Sequence, residues 1–210
     1  MSVREGKLLY HVTALDNLEN IFTYGLLSRT DVFAKGIILK DVADPKIIEK
    51  RTELGILQYV PFHFFEKTPF THTVYARHPD TTFCVIAIYR AFAHMNNFKI
   101  CTAHPLSENP KAEILDYNEG IERISWESID VDWDKIKQGL ARLTDKDDNA
   151  RMAECLATSP VMPQDFQSIY VPTEAIKSYV EQLAQRKWNS CPFYVNVNKK
   201  ITQEGKNDYL

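Results

Sequence analysis

A chain of 210 residues is long enough to bury a full core, and 44% hydrophobic with 25% charged residues is ordinary globular composition. No apolar run approaches the roughly 20 residues that span a bilayer, and the opening Met1-Ser-Val-Arg-Glu-Gly-Lys7 has no secretory apolar stretch. The expectation is therefore one domain over residues 1–210, cytoplasmic and monomeric. The formal charge of -3 excludes bulk electrostatic attraction to nucleic acid, but it is uneven: residues 104–150 hold 12 acidic and 6 basic residues, leaving 19 basic against 16 acidic elsewhere. Cys84, Cys101, Cys155 and Cys191 lie far apart, with no C-x-x-C and no Cys/His cluster at zinc spacing. They read as reduced, buried thiols, with no metal site expected.

In chain order, Lys7–Val12 is β-prone, and Thr13 is placed to cap a helix over residues 17–24. In that helix Leu15, Leu18, Ile21 and Phe22 share one face, and Gly25 stands where a terminating glycine belongs. His11, at the strand end, has two readings: a half-buried residue satisfied by backbone, or one that meets a hydroxylated or anionic ligand beside free helix N–H groups. Residues 28–58 are irregular apart from the apolar Gly36–Leu39 and a short helix expected over Pro45–Arg51. Arg51, among Glu49, Lys50 and Glu53, reads by charge pattern as a surface residue.

The segment Gln58–Phe70 is rich in aromatics and carries Pro61, which points to an edge strand or a bulge. Its rings are either core or the wall of a pocket that stacks a planar group. Thr82–Tyr89 is a continuous apolar run, typical of a strand covered on both faces, and Phe98–Thr102 is a further strand. Residues 104–128 read as an acidic surface excursion, Asp130–Leu143 as a helix and Thr144–Asn149 as a turn. Arg151–Ala157 is an apolar strand in which Glu154 projects opposite Ala153 and Cys155. Phe166–Val171 is a strand, Pro172–Lys187 a helix with Ile176, Tyr179, Val180 and Leu183 inward, and Cys191–Val197 a last alternating strand. With no G-x-G-x-x-G or Walker loop and no regular βαβ repeat, the fold class expected is α+β, with largely antiparallel or split sheets.

Several of these segments together resemble the DarT family of DNA ADP-ribosyltransferases. Leu9-Tyr-His-Val-Thr13 with Asp16-Asn-Leu18 and Gly25-Leu-Leu27 is similar to the family's His-x-Thr opening and helix. Lys50-Arg51 and the block from Tyr59 to Phe64 with Thr68-Pro69 resemble its arginine and aromatic motif. Asp132-Trp-Asp-Lys-Ile136, Met152-Ala-Glu-Cys-Leu156 and Ile169-Tyr-Val171 resemble its Asp-Trp helix, Ala-Glu-x-Leu motif and following strand. Two departures stand in the aromatic block: His63 where the family usually has Tyr, and Phe70 where it usually has Met.

The resemblance implies an ADP-ribosyltransferase fold, two small split sheets around an NAD cleft. It also implies a toxin that moves ADP-ribose from the co-substrate NAD to a base in single-stranded DNA, releases nicotinamide and is countered by a DarG-type macrodomain antitoxin. On this reading Glu154 grips the ribose 2′-OH as oxocarbenium character develops, and Arg51 is the second catalytic residue, as diphosphate clamp or positioning group. His11, Val12, Thr13, Asn20 and Leu27 line the NAD site, and His63 and Phe70 bound its nicotinamide end. Of the two Ala-Glu-x-Leu matches, Glu154 is preferred over Glu113, which lies in the acidic excursion. The base, thymine or guanine, stays open, as do an RNA or protein acceptor and a noncatalytic NAD or nucleic-acid binding module.

Overall fold

In the computed structural model, whose described residues are 2–201, β1 (Leu8–Ala14) leads through a 3-10 turn into α1 (Leu18–Tyr24). After α2 (Arg29–Ala34) and α3 (Pro45–Glu53) come β2 (Val60–His63), α4 (Pro69–Arg77), β3 (Phe83–Tyr89), α5 (Arg90–Met95) and β4 (Lys99–Cys101). Then follow β5 (Ile114–Asp116), α6 (Tyr117–Arg123), α7 (Trp126–Ile129), α8 (Trp133–Lys137) and α9 (Asp145–Ala150). The described chain continues with β6 (Glu154–Ala157), β7 (Ser168–Val171), α10 (Glu174–Trp188) and β8 (Tyr194–Val197).

Eight strands form one sheet in the order β5-β4-β6-β2-β1-β3-β7-β8. Every pair is antiparallel except β7–β8. The ladder is strong within each half: β1 and β3 pair from Leu8↔Tyr89 to Ala14↔Phe83, and β2 and β6 from Val60↔Ala157 to His63↔Glu154. Between β1 and β2 it narrows to Tyr10↔His63. The two small sheets expected are thus two four-stranded halves of one sheet, hinged at that pair. Pro61 explains the seam. It shares strand parity with His63, so its main-chain groups face β1, and proline has no N–H to give a ladder. Pro61 is therefore in an interior strand with a continuous register to β6, not in the edge strand or bulge expected, and faces the opened side. There the His11 Nδ1 hydrogen bonds to its carbonyl at 2.8 Å.

The largest core cluster lies on one face, where Leu9, Phe62, Ile86, Ile88 and Ile169 meet α1 and α10. Phe83–Ile88 is buried throughout, as a continuous apolar run requires. Helix α10 buries Val180 and Ala184, while Tyr179 is exposed; the stripe is one residue narrower than the sequence suggested. Cys84, Cys101 and Cys155 are buried thiols, and Cys191 is half-buried.

Four local expectations are corrected. Thr13 pairs with Cys84 inside β1 and does not cap a helix, because a ladder position outcompetes local capping; its hydroxyl accepts from Asn17 Nδ2 at 3.1 Å. The helix expected over Asp130–Leu143 is only α8, five residues capped by Asp132 and ended near Gly139, whose φ is +71°. Its neighbour Leu140 stays exposed, so no buried face extends so short a helix. The Thr144–Asn149 turn is α9, opened by a Thr144/Asp147 capping box. Residues 104–128 are not a loose excursion. Ile124 and Trp126 are buried, the Trp126 indole donates to the Ile121 carbonyl at 2.8 Å, and Gly120 packs directly on Ile100 of β4.

That contact decides the sign of one substitution. A Cβ on Gly120 would fall 2.8 Å from Ile100 Cγ1 and 2.9 Å from Cγ2, closer than carbon atoms pack. Helix propensity favours Gly120→Ala by about 1 kcal/mol, but the overpacking costs about 1–3 kcal/mol. Gly120→Ala is expected to lower the urea midpoint; a raised midpoint would show that β4 yields freely.

Candidate active site

Two charged side chains are brought together from 103 positions apart in the chain. Helix α3 starts at Pro45, with the Asp44 carboxylate accepting from the Lys46 N–H and also holding Arg77. Its last turn carries Lys50 and Arg51, where cations suit the helix C-terminus. Lys50 pairs with Glu53 on the surface, whereas Arg51 turns inward and is 8% exposed. The charge pattern, which placed Arg51 on the surface, described its neighbours. Glu154, first residue of β6, is 6% exposed, and Arg51 Nη1 donates to its Oε2 at 2.5 Å. Arg51 Nη2 is buried without a hydrogen-bond partner.

Three histidines surround this pair, each distinguished by its backbone contacts. His11 donates from Nδ1 to the Pro61 carbonyl, which leaves Nε2 with the lone pair. Burial pushes its pKa down to about 4. His104 accepts the Leu106 N–H at Nδ1, 3.2 Å away, so its Nε2 is a donor. His63 sits opposite Glu154 in the β2–β6 register, with its ring 5.4 Å from that of Phe70 and its Nδ1 buried and unpartnered. Desolvation also holds the pKa of His63 and of His104 below the ordinary imidazole value, against the pull of the Glu154 carboxylate. All three rings are accordingly neutral near pH 7, and the charge beside them is that of the ion pair.

The opposite wall is a strap over residues 36–43. Asn17 is its anchor: Oδ1 accepts the Lys40 N–H at 2.8 Å, and Nδ2 donates to the Lys40 carbonyl at 3.1 Å. Asn20 Nδ2 donates to the Ile38 carbonyl at 3.2 Å, and Arg29 pairs with Asp41. Sheet seam, strap and ion pair enclose a cleft of about 440 Å³. All nine residues singled out from the sequence, from His11 through Phe70 to Glu154, line it, and Glu113 lies exposed outside it. Sequence reasoning missed Asn17, Lys40, His104 and Met152. Asn17 lay within the Asp16-Asn-Leu18 motif and could have been found from it; His104 has no local signal at all. Among the described residues no group of three or more His, Cys, Asp or Glu could hold a metal, and no helix is long and apolar enough to cross a membrane.

The family model described as DarT, ssDNA thymidine ADP-ribosyltransferase, matches residues 10–201. Among solved structures, Thermus sp. 2.9 DarT in complex with ADP-ribosylated ssDNA is similar at TM-score 0.75 and 18% identity, covering 94% of this chain and 97% of that one. The same DarT in complex with NAD+ gives 0.69 and 16%, covering 94% and 98%. Thermosipho africanus DarTG in complex with ADP-ribose gives 0.71 and 21%, covering 93% of this chain and 51% of that one. No curated protein matches the chain. With the family model spanning residues 10–201 and the α+β architecture matching those folds, the chain belongs to the DarT family of single-stranded-DNA thymidine ADP-ribosyltransferases.

Proposed function

We propose that this cleft takes NAD as co-substrate and transfers its ADP-ribose to thymine in single-stranded DNA, releasing nicotinamide. The observation that carries the reading is the buried Arg51–Glu154 pair, set in the same cleft as His11, Thr13 and the strap. Breaking the bond between ribose C1′ and nicotinamide builds oxocarbenium character on the ribose. Arg51 holds Glu154 through Oε2 and leaves Oε1 to accept the ribose 2′-OH, a bond that strengthens as positive charge develops. Arg51 is a cation and fixes the carboxylate; it is no proton acceptor. The His11 Nε2 and the Thr13 hydroxyl meet ribose hydroxyls, Val12, Asn20 and Leu27 line the rest of the NAD site, and His63 with Phe70 walls its reacting end.

A base in a duplex keeps its ring nitrogen paired, so the acceptor is a thymine turned out of single-stranded DNA. The relative named DarTG, about half of whose chain is covered by this one, supports a DarG-type macrodomain antitoxin as partner. We place the protein in the cytoplasm as a monomeric toxin.

Glu154→Gln keeps the shape and removes the charge. It is expected to cut label transfer from NAD to a thymidine-containing oligonucleotide about 10³-fold while circular dichroism stays native; equal labelling would refute the role of Glu154. RNA, protein and thymidine-free DNA run in parallel should stay unlabelled. Arg51→Ala leaves a buried carboxylate unpaired and should cost about 3 kcal/mol or more. Adding Glu154→Gln to Arg51→Ala should restore part of that loss in chemical denaturation, and a double variant less stable than Arg51→Ala would contradict it. Asn17→Ala frees the strap and should raise KM for NAD more than it lowers kcat; a loss confined to kcat would remove the strap from co-substrate binding.

A further inference from the structure

Two polar atoms beside Glu154 are buried without a hydrogen-bond partner, Arg51 Nη2 and His63 Nδ1. Each such atom costs on the order of 1–3 kcal/mol, and both belong to residues that line the cleft. Orphaned atoms in a ligand cleft are groups that a ligand completes. Arg51 Nη2 is a donor and needs an acceptor. The His63 ring hydrogen bonds to the Ala153 backbone, and with Nδ1 unpartnered that bond runs through Nε2, so the neutral ring presents a lone pair at Nδ1 and needs a donor.

The transfer itself lacks a proton acceptor until one is found for it. Thymine joins its deoxyribose through N1, so its one ring N–H is at N3, flanked by two carbonyls. Bonding at that nitrogen releases the proton. Arg51 has no lone pair to receive it, and it occupies Oε2 of Glu154. The His104 Nδ1 is taken by the Leu106 N–H. His11 spends Nδ1 on the Pro61 carbonyl, and its Nε2 is the nitrogen assigned above to a ribose hydroxyl. His63 has a buried ring nitrogen without a hydrogen-bond partner, a position directly opposite Glu154 in the ladder, and a ring braced by Phe70. Directly opposed residues in an antiparallel pair bring their Cβ atoms within about 5 Å, so the carboxylate is close enough to stabilise an imidazolium formed there.

We propose that His63 is the proton acceptor for the nucleobase, its Nδ1 taking the N3 proton while Arg51 Nη2 donates to a flanking carbonyl. The step balances. The N3–H bond breaks toward His63, and the N3 electron pair forms the bond to ribose C1′. The bond from C1′ to the pyridine nitrogen breaks with its pair, and nicotinamide leaves neutral. The His63 imidazolium returns its proton to water. Glu154, Arg51, His104 and His11 are the titratable and charged groups facing the ring. Burial, Arg51 and His104 oppose the imidazolium and return the base to its neutral form, whereas Glu154 and the hydrogen bond to the Ala153 backbone favour it.

The proposal rests on the transferase reading above, and the experiment separates the two. Wild type, His63→Gln and His63→Phe are compared at saturating NAD on a thymidine oligonucleotide across pH, with nicotinamide release and thermal midpoint measured alongside. His63→Phe keeps a ring against Phe70, so the comparison survives if His63→Gln folds poorly. In the wild type kcat should fall on the acid side, through a limb lying below the ordinary histidine pKa of 6.5 because burial lowers that of His63. Both variants should lose transfer about 10²-fold or more and lack that limb. A limb that persists in the variants, or a loss confined to KM for NAD, would overturn His63 as proton acceptor and leave it a wall of the co-substrate pocket. A wild type that releases no nicotinamide from NAD would overturn the transferase reading, and the proposal with it.

Discussion

Two opposite charges buried against one another, Arg51 and Glu154, set the terms for the rest of this fold. Each loses its water on burial, a cost of several kcal/mol per ion after relaxation, and their attraction offsets it only at hydrogen-bond contact. Contact at 2.5 Å between residues 103 positions apart requires α3 to lie across the start of β6. The means are visible in the structure. Asp44 caps α3 and ties it to Arg77 of α4, while β6 is held between β2 and β4. A well-packed apolar pair in the same place would often be as stable or more so. Stability therefore does not explain the pair, and a buried Nη2 left without a partner beside it points to chemistry that needs both charges.

The cavity that gives the pair access to a ligand comes from an interruption in the sheet. Continued pairing of β1 with β2 would make eight strands one closed surface. Pro61 withholds a ladder N–H on the β1 side, and the His11 imidazole reaches its carbonyl instead. One hydrogen bond thus completes the backbone accounting at the seam and fixes the tautomer of a cleft histidine. The two sides of the seam then contribute different groups. His11 and Thr13 come from the half built on β3, and His63 and Glu154 from the half built on β4 and β6. Main-chain ladders set those positions. The strap is held by side-chain amides and the Arg29–Asp41 pair, with no main-chain ladder, which makes it the more easily displaced wall.

Features that depend on local pattern were legible in the sequence. The apolar run of β3, the α10 helix, the Gly25 helix stop at φ +83° and Glu154 on an apolar strand all follow from residues within one element. What could not be read depends on partners far away. Arg51 resembles its solvated neighbours in sequence, and only the tertiary position of α3 buries it. Residues 104–128 are polar enough to suggest a loop, yet Gly120 lets α6 sit against Ile100 and Trp126 seals the contact. The Asp130–Leu143 helix failed the other way: good propensity and favourable end charges did not extend α8, because no apolar surface waits for its remaining turns. Propensity is a weak prior where nothing is buried. His104 reaches the cleft by the path of the chain after β4, and no periodicity announces it.

Around the ion pair the fold keeps every cleft histidine neutral by burial. In the proposed reaction the pyridinium of NAD and the developing oxocarbenium are both positive. Protonated rings at His11, His63 and His104 would oppose them. Desolvation lowers the proton affinity of all three, although Glu154 alone would raise it. The amides of Asn17 and Asn20 that tie the strap are likewise uncharged. In that proposed reaction Glu154 is the acid assigned to the ribose, with one oxygen committed to Arg51. A further carboxylate near the histidines could have neutralised them if protonated, but it would also have competed for Arg51. Asp41, the other carboxylate lining the cleft, is held by Arg29, and burial removes the unwanted histidine charge without adding such a competitor.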